Sequence, residues 1–293
     1  MTDPHSPARP PTATPTTLGA LVSGYLDSQL DALARGDEAL AAGELAAVHP
    51  TRVAARRARS TLRTFAPLFE PRPRREFAKR LRAWAARLGE IRDREVQIAW
   101  LDELRHDLSD DPAAVAAIDA MSTAYAADAR RHLDDVRRRL AGPRRLATLC
   151  AAWRQPPYTP RAEDAAADVG GYLDRARDEL AAALRAAHDH PNDADRVHAA
   201  RKAGKRHRYA VELAAPVLGP AADQALAEAR ELQDQLGRHQ DSIVAAALAD
   251  RLLASWPVAD ARRAGVDRVL AAIADQGATA RAAALHNPPR RAG

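Results

Sequence analysis

Apolar residues in this chain recur at i, i+3, i+4 and i+7 from about residue 17 to about residue 285, and the pattern stops only at Gly and Pro. That period gathers apolar side chains into one stripe along a helix, and such a stripe is stable only when another helix covers it. Ala, Leu, Arg, Asp and Glu dominate while Val, Ile and Gly are few, so the same segments have high intrinsic helix propensity. We therefore expect an all-α chain with no sheet. Its 293 residues suffice for one large domain or two ordinary ones.

The punctuation marks eight main helices, about 17–42, 46–68, 73–107, 112–140, 164–188, 194–217, 221–254 and 258–285. Pro156, Pro157 and Pro160 make 153–163 the linker between the fourth and fifth helices, with a short helix ahead of it. Four helices on each side predict two four-helix bundles, 17–152 and 164–285. Residues 1–16, rich in Pro and Thr, and the basic tail 286–293 read as disordered. Trp84, Leu88 and Trp100, at helical spacing, read as core.

Several classes are disfavoured. Arg or Asp interrupts every Ala/Leu stretch before it reaches the roughly 18–20 residues of a membrane span. Cys150 is the single cysteine and the N-terminus carries no apolar signal segment, so a soluble protein of the reducing cytoplasm is expected. There is no Gly-rich phosphate loop, no HExxH and no nucleophile in a recognisable setting, which points to a binding protein with no catalytic residues and no cofactor. His188 and His190 share no regular ligand spacing with a carboxylate or cysteine, so they read as a helix end and no metal is expected.

The net charge of +5 is unevenly spread. Residues 48–63 hold five Arg and no acid, and 196–208 hold four Arg, two Lys and no acid, so these segments carry +11 and the rest of the chain −6. Codon bias accounts for 41 arginines against three lysines, but not for the missing acids. The two segments also match each other. Val48 to Arg59 aligns without gaps on Val197 to Arg208, and Leu88 to Asp93 aligns on Leu236 to Asp241 with a register shift of one residue. Two linked matches in the same order indicate an internal duplication.

At 100° per residue, His49, Arg52, Arg56, Arg59 and Arg63 fall within about 80° of arc on one helix face. His198, Arg201, Lys205 and Arg208 repeat that stripe, with Glu212 next on the line, while Arg57 and Arg206 flank it. Like charges at this spacing repel, so an acid-free stripe is destabilising unless a bound anion offsets it. Arg presents a planar fork to phosphate oxygens. His49 and His198 are expected in the first turns of their helices, where free N–H groups add to anion affinity. Their protonation is expected to tighten binding as pH falls through about 6 to 7.

The paired VHxxRxxx(R/K)RxR segments, the RDREV run at Arg92 to Val96, KRHRYAVE at Lys205 to Glu212 and LQDQLG at Leu232 to Gly237 resemble the CHAD domain, the conserved-histidine α-helical domain. The resemblance spans roughly 18–285. It implies two four-helix bundles related by a pseudo-two-fold axis, with basic helices lining a central groove that binds inorganic polyphosphate, and association with polyphosphate granules. By position it implies ligand contacts from His49, Arg52, Arg56, Arg57, Arg59, His198, Arg201, Lys202, Lys205, Arg206 and Arg208, with Arg82 and Arg92 as weaker additions. Asp93 and Asp241 look like acceptors that hold Arg side chains in place. Gly204, inside a helix, and Gln240, where the first copy has Arg92, depart from the pattern.

Polyphosphate-metabolising enzymes are the partners such a binder would serve. Nucleic acid is the rival polyanion, disfavoured because only Tyr209 adjoins either stripe and stacking platforms are lacking. A third reading is a granule scaffold acting through protein contacts.

Overall fold

The computed structural model describes residues 14–140, 145–191, 193–255 and 262–286. Most of the segment 1–16 and all but the first residue of the tail 286–293 lie outside the described residues. The described residues form ten α-helices and no strand: α1 (Leu18–Ala42), α2 (Val48–Thr64), α3 (Pro71–Arg87), α4 (Gly89–Asp107), α5 (Pro112–Leu140), α6 (Arg145–Ala152), α7 (Gly170–Asp189), α8 (Ala194–Leu218), α9 (Ala221–Ser255) and α10 (Arg262–His286). Local chemistry sets their ends. The Thr17 hydroxyl accepts the Ala20 N–H to start α1, and Gly43, at φ 92°, closes it in the left-handed conformation that glycine adopts without a Cβ clash.

One expected helix is two. The stretch read as 73–107 breaks at Leu88 into α3 and α4. Leu88 is buried, and Gly89 beside it supports a helix weakly. The Ala85 carbonyl at the end of α3 accepts the Leu88 N–H at 3.2 Å and, from α2, the Arg52 Nη1 at 3.1 Å. A Cβ on Gly89 would stand 3.2 Å from that same Nη1, so glycine makes room for the guanidinium. In the second half α9 runs unbroken through the matching Gly237, and among the described residues Arg201 makes no corresponding bond to a backbone carbonyl.

Three larger cores and a small cluster of Val211, Ala222 and Leu226 hold the helices together. Leu30 of α1, Leu62 of α2, Phe77 and Leu81 of α3, Leu133 of α5 and Cys150 of α6 build the first, which also takes in Ala210, Leu213 and Ala214 of α8. Leu180 of α7, Val197 of α8, Leu236 of α9 and Leu285 of α10 build the second. The third is shared: Trp100 of α4, Ile118 of α5, Leu248 of α9 and Ile273 of α10 form one cluster, and the Trp100 indole donates to Gln276 Oε1 at 2.7 Å. The connection 153–163 is pinned to the first core, with Trp153 stacked on Phe77 at 4.2 Å between ring centroids. α1 packs on α2 as α7 packs on α8, and α4 on α5 as α9 on α10. The contacts between halves include α2 on α8, α4 on α9 and α5 on α10, pairs compatible with a duplication about a two-fold axis, alongside α1 on α8 and α5 on α9. It brings the two basic helices together at the centre.

Glycines report how tightly this packing is set. A Cβ at Gly265 of α10 would overlap the Ala113 carbonyl of α5, whereas at Gly204 of α8 the nearest heavy atom, Leu180 Cδ1, is 3.8 Å away. Gly265→Ala is expected to destabilise the fold by about 1–3 kcal/mol through overpacking. Gly204→Ala is expected to stabilise it by up to about 1 kcal/mol through helix propensity. Denaturant unfolding of both variants checks the opposite signs.

Candidate functional site

α2 and α8 turn their stripes toward one another. The Arg56 Nε donates to the Tyr209 hydroxyl across the two halves at 2.9 Å. Arg56 also lies within electrostatic reach of Arg201 and Lys205, and Arg63 within reach of Arg206. Arg52, Arg56 and Arg59 face Arg82 of α3 across a cleft of about 230 Å³, floored by Ala85 and Ala86. The stripes therefore converge.

Cations this close and this buried are costly, and the side chains register it. Burial, reinforced by Arg56 and Arg92 against Asp93 and Glu95, pulls the Arg52 guanidinium below its ordinary range. Burial does the same to Arg201, with Arg56 adding to it and Asp241 opposing it. Arg59 is lowered by burial and by Arg82. The largest effect is on Lys205, whose ammonium is pushed down to about 6 by burial, then by Arg201 and Arg56, with Asp241 opposing. Four arginine Nε atoms among the described residues are buried without a hydrogen-bond partner, and three of them belong to the stripes: Arg52, Arg201 and Arg208, the last of which still has the Glu212 carboxylate at 3.5 Å. A buried donor without an acceptor costs about 1–3 kcal/mol, which an anion in the groove would recover.

The carboxylates of the groove are few. Asp93 of α4 and Asp241 of α9 occupy matching positions, and each is raised above the ordinary carboxylate range by burial, against the pull of Arg52 on Asp93 and of Arg201 on Asp241. They sit beside the arginines assigned to them, within electrostatic reach and with no direct hydrogen bond between them among the described residues.

Other predicted contacts are already engaged. Arg57 makes a two-pronged ion pair with Glu212, Nε to Oε2 at 2.8 Å and Nη2 to Oε1 at 3.2 Å. Arg206 pairs with Glu179 of α7 at 2.9 Å, and Arg92 with Glu95 at 3.3 Å. Lys202 is exposed at the edge, close enough to His198 to disfavour its protonation.

His49 is exposed in the uncapped first turn of α2. His198 is not in a first turn, contrary to expectation. α8 starts at Ala194, and the Asp193 side chain accepts the N–H groups of Asp195 and Arg196 at 3.0 and 3.2 Å. The donors assigned to an anion at that end are therefore taken. His198 Nδ1 instead lies 2.8 Å from Gln240 Oε1, and burial holds its protonation below the usual histidine range.

Sequence reasoning missed the hub that joins the halves. Glu212 binds Arg57 of α2, accepts the Tyr25 hydroxyl of α1 at 3.0 Å, and stands 3.5 Å from the Arg208 Nε one turn away on its own helix. Tyr209 lies under Arg57 and Arg208, at 5.6 and 5.0 Å from ring centroid to guanidinium carbon. The signal was present in the YAVE run, but its partners sit more than 150 residues away in sequence.

Comparison with known proteins agrees with this architecture. Among solved structures, the chain resembles PptA from Streptomyces chartreusis, with a TM-score of 0.72 and 24% identity over 92% of this chain and 99% of that one. It also resembles the CHAD domain from the plant Ricinus communis, with a TM-score of 0.67 and 24% identity over 98% of this chain and 99% of that one. At that identity the likeness concerns the fold. A search of curated proteins finds no match. No described helix is long and apolar enough to cross a membrane. The model of the CHAD domain family matches residues 24–250, more than half of the sequence, and the chain belongs to that family.

Proposed function

We propose that this protein binds inorganic polyphosphate in the groove between α2 and α8, without cleaving it, and associates through it with polyphosphate granules in the cytoplasm. The observation that supports the reading is the convergence of two stripes from different halves on one place, where the Nε atoms of Arg52 and Arg201 are buried without acceptors and Lys205 is pushed down to about 6. An extended string of phosphates supplies what that arrangement lacks: acceptors at successive positions along both helices and negative charge between them. Arg52, Arg56, Arg59, Arg201, Lys205 and Arg208 make the contacts. Arg57 and Arg206 hold the helices in place through Glu212 and Glu179.

Nucleic acid shares the charge but not the shape. A duplex roughly 20 Å across is too wide for a groove between packed helices, and Tyr209, the aromatic of the site, is buried beneath arginines and offers no face for stacking. In a competition at equal phosphate concentration and moderate salt, long-chain polyphosphate is expected to displace labelled single-stranded and duplex DNA. Retention of the DNA would overturn the assignment of the ligand.

A further inference from the structure

α3 carries seven cations and one acid in 17 residues. Three of those cations have local roles: Arg74 donates to the Leu62 carbonyl at 3.2 Å, Arg80 pairs with Glu76 at 2.8 Å, and Arg87 lies in the last turn. The remaining four, Arg72, Arg75, Lys79 and Arg82, are exposed and make no ion pair or side-chain hydrogen bond among the described residues. Their spacing of three, four and three places them within about 80° of arc along about 15 Å of helix, a straight stripe.

This stripe starts at the cleft between α2 and α3, beside the groove. Arg82 lines the cleft with Arg52, Arg56 and Arg59, and Ala86 of the same helix face floors it. Phe77, Leu81 and Trp84 face the core on the other side of α3, so the cations do not contribute to packing. A solvated face would tolerate interspersed acids, yet Glu76 is the one acid on the helix and it is engaged by Arg80.

We propose that Arg72, Arg75, Lys79 and Arg82 form an outer track that takes the part of a polyphosphate chain emerging from the groove, so that long chains are held at more points than short ones. The inference rests on the groove reading above. Exposed Arg and Lys hold phosphate by charge with counterion release, and each contact adds to the salt dependence of binding.

The test is a triple variant, Arg72→Ala, Arg75→Ala and Lys79→Ala, which leaves Arg82 and the groove intact and places a good helix former at exposed positions. Its affinity and that of the unaltered protein are measured for tripolyphosphate and for long-chain polyphosphate across a salt series. The variant is expected to bind tripolyphosphate unchanged, and to bind the long chain about tenfold more weakly at low salt, with the slope of log Kd against log salt smaller by about 2. Unchanged long-chain affinity and slope would overturn the track and leave the groove reading standing. Equal weakening for both ligands would also overturn it, because the cations would then act as a diffuse field. Absence of binding of either ligand to the unaltered protein would remove the groove reading, and the track with it.

Discussion

Lys205→Met is expected to make the protein more stable and a worse binder at once. The lysine is half-buried on α8 among Arg201 and Arg208 of its own helix and Arg56 of α2, with Asp241 of α9 as the opposing charge. Methionine keeps the length and apolar stem and has no proton to give up on folding, as the lysine must at neutral pH, so stability there is expected to rise by about 1–3 kcal/mol. Affinity for polyphosphate is expected to fall about thirtyfold, the loss of one charge-assisted contact worth about 2 kcal/mol. The pH dependence separates this account from simple charge counting. In the ligand-free protein Lys205 loses its proton near 6, and a bound anion raises that value, so binding takes up a proton at neutral pH. Affinity is therefore expected to strengthen as pH falls from about 8 and to level off below about 6, by up to tenfold per pH unit. Stability without ligand runs the other way. The unfolded chain holds the lysine proton up to its ordinary value near 10.4, so folding gains stability as pH rises from about 6 toward that value. Both slopes are expected to vanish in the variant, as followed by calorimetric titration and thermal unfolding across pH. A variant that keeps the wild-type pH slope for binding would show that Lys205 does not supply the proton site.

That result would also relocate a property that sequence reasoning assigned to the histidines. The stripes were legible because helical period alone fixes which residues share a face, and the duplication was legible because two motifs repeat in order. Burial was not. Whether a cation on a stripe is solvated or enclosed depends on what another helix does, and nothing near Lys205 in sequence announces that Arg56 and Asp241 will surround it. For the same reason Arg57 and Arg59, two residues apart on one helix, read alike from sequence. The structure gives the first to Glu212 and the second to the cleft. The break at Leu88 was missed because its setting is tertiary as well: Arg52, from another helix, adds a second donor to the Ala85 carbonyl at the end of α3. Gln240, read as a weak substitute for arginine, proved to be the partner of His198. The all-helical fold and the two matching stripes thus followed from local chemistry, the meeting of the basic helices was implied by the family resemblance alone, and the division of labour among the cations followed from contacts between the halves.

Glu212→Gln tests that division of labour, because two physical accounts predict opposite signs. Electrostatics alone says that removing a carboxylate from beside Arg57 and Arg208 makes the groove more positive and frees two guanidinium groups, so polyphosphate should bind more tightly. The geometry says otherwise. Glu212 is 12% exposed and holds three elements at once, receiving Arg57 from α2 and Tyr25 from α1 while standing beside Arg208 on α8. Without its charge, Arg57 and Arg208 face each other over the Tyr209 ring unopposed, and the least costly relief is for α2 to shift away from α8. Stability is expected to fall by about 2–4 kcal/mol, as when one partner of a largely buried ion pair is removed. Affinity, measured well below the unfolding transition, is expected to fall at least tenfold despite the gain in positive charge. The dependence of log Kd on log salt should flatten, because stripes out of register contact fewer phosphates simultaneously. Glu212→Asp, which keeps the charge on a shorter side chain, should recover part of the affinity. Tighter binding by Glu212→Gln with an unchanged or steeper salt slope would mean that the two stripes act independently and that the contact between halves does not set the groove.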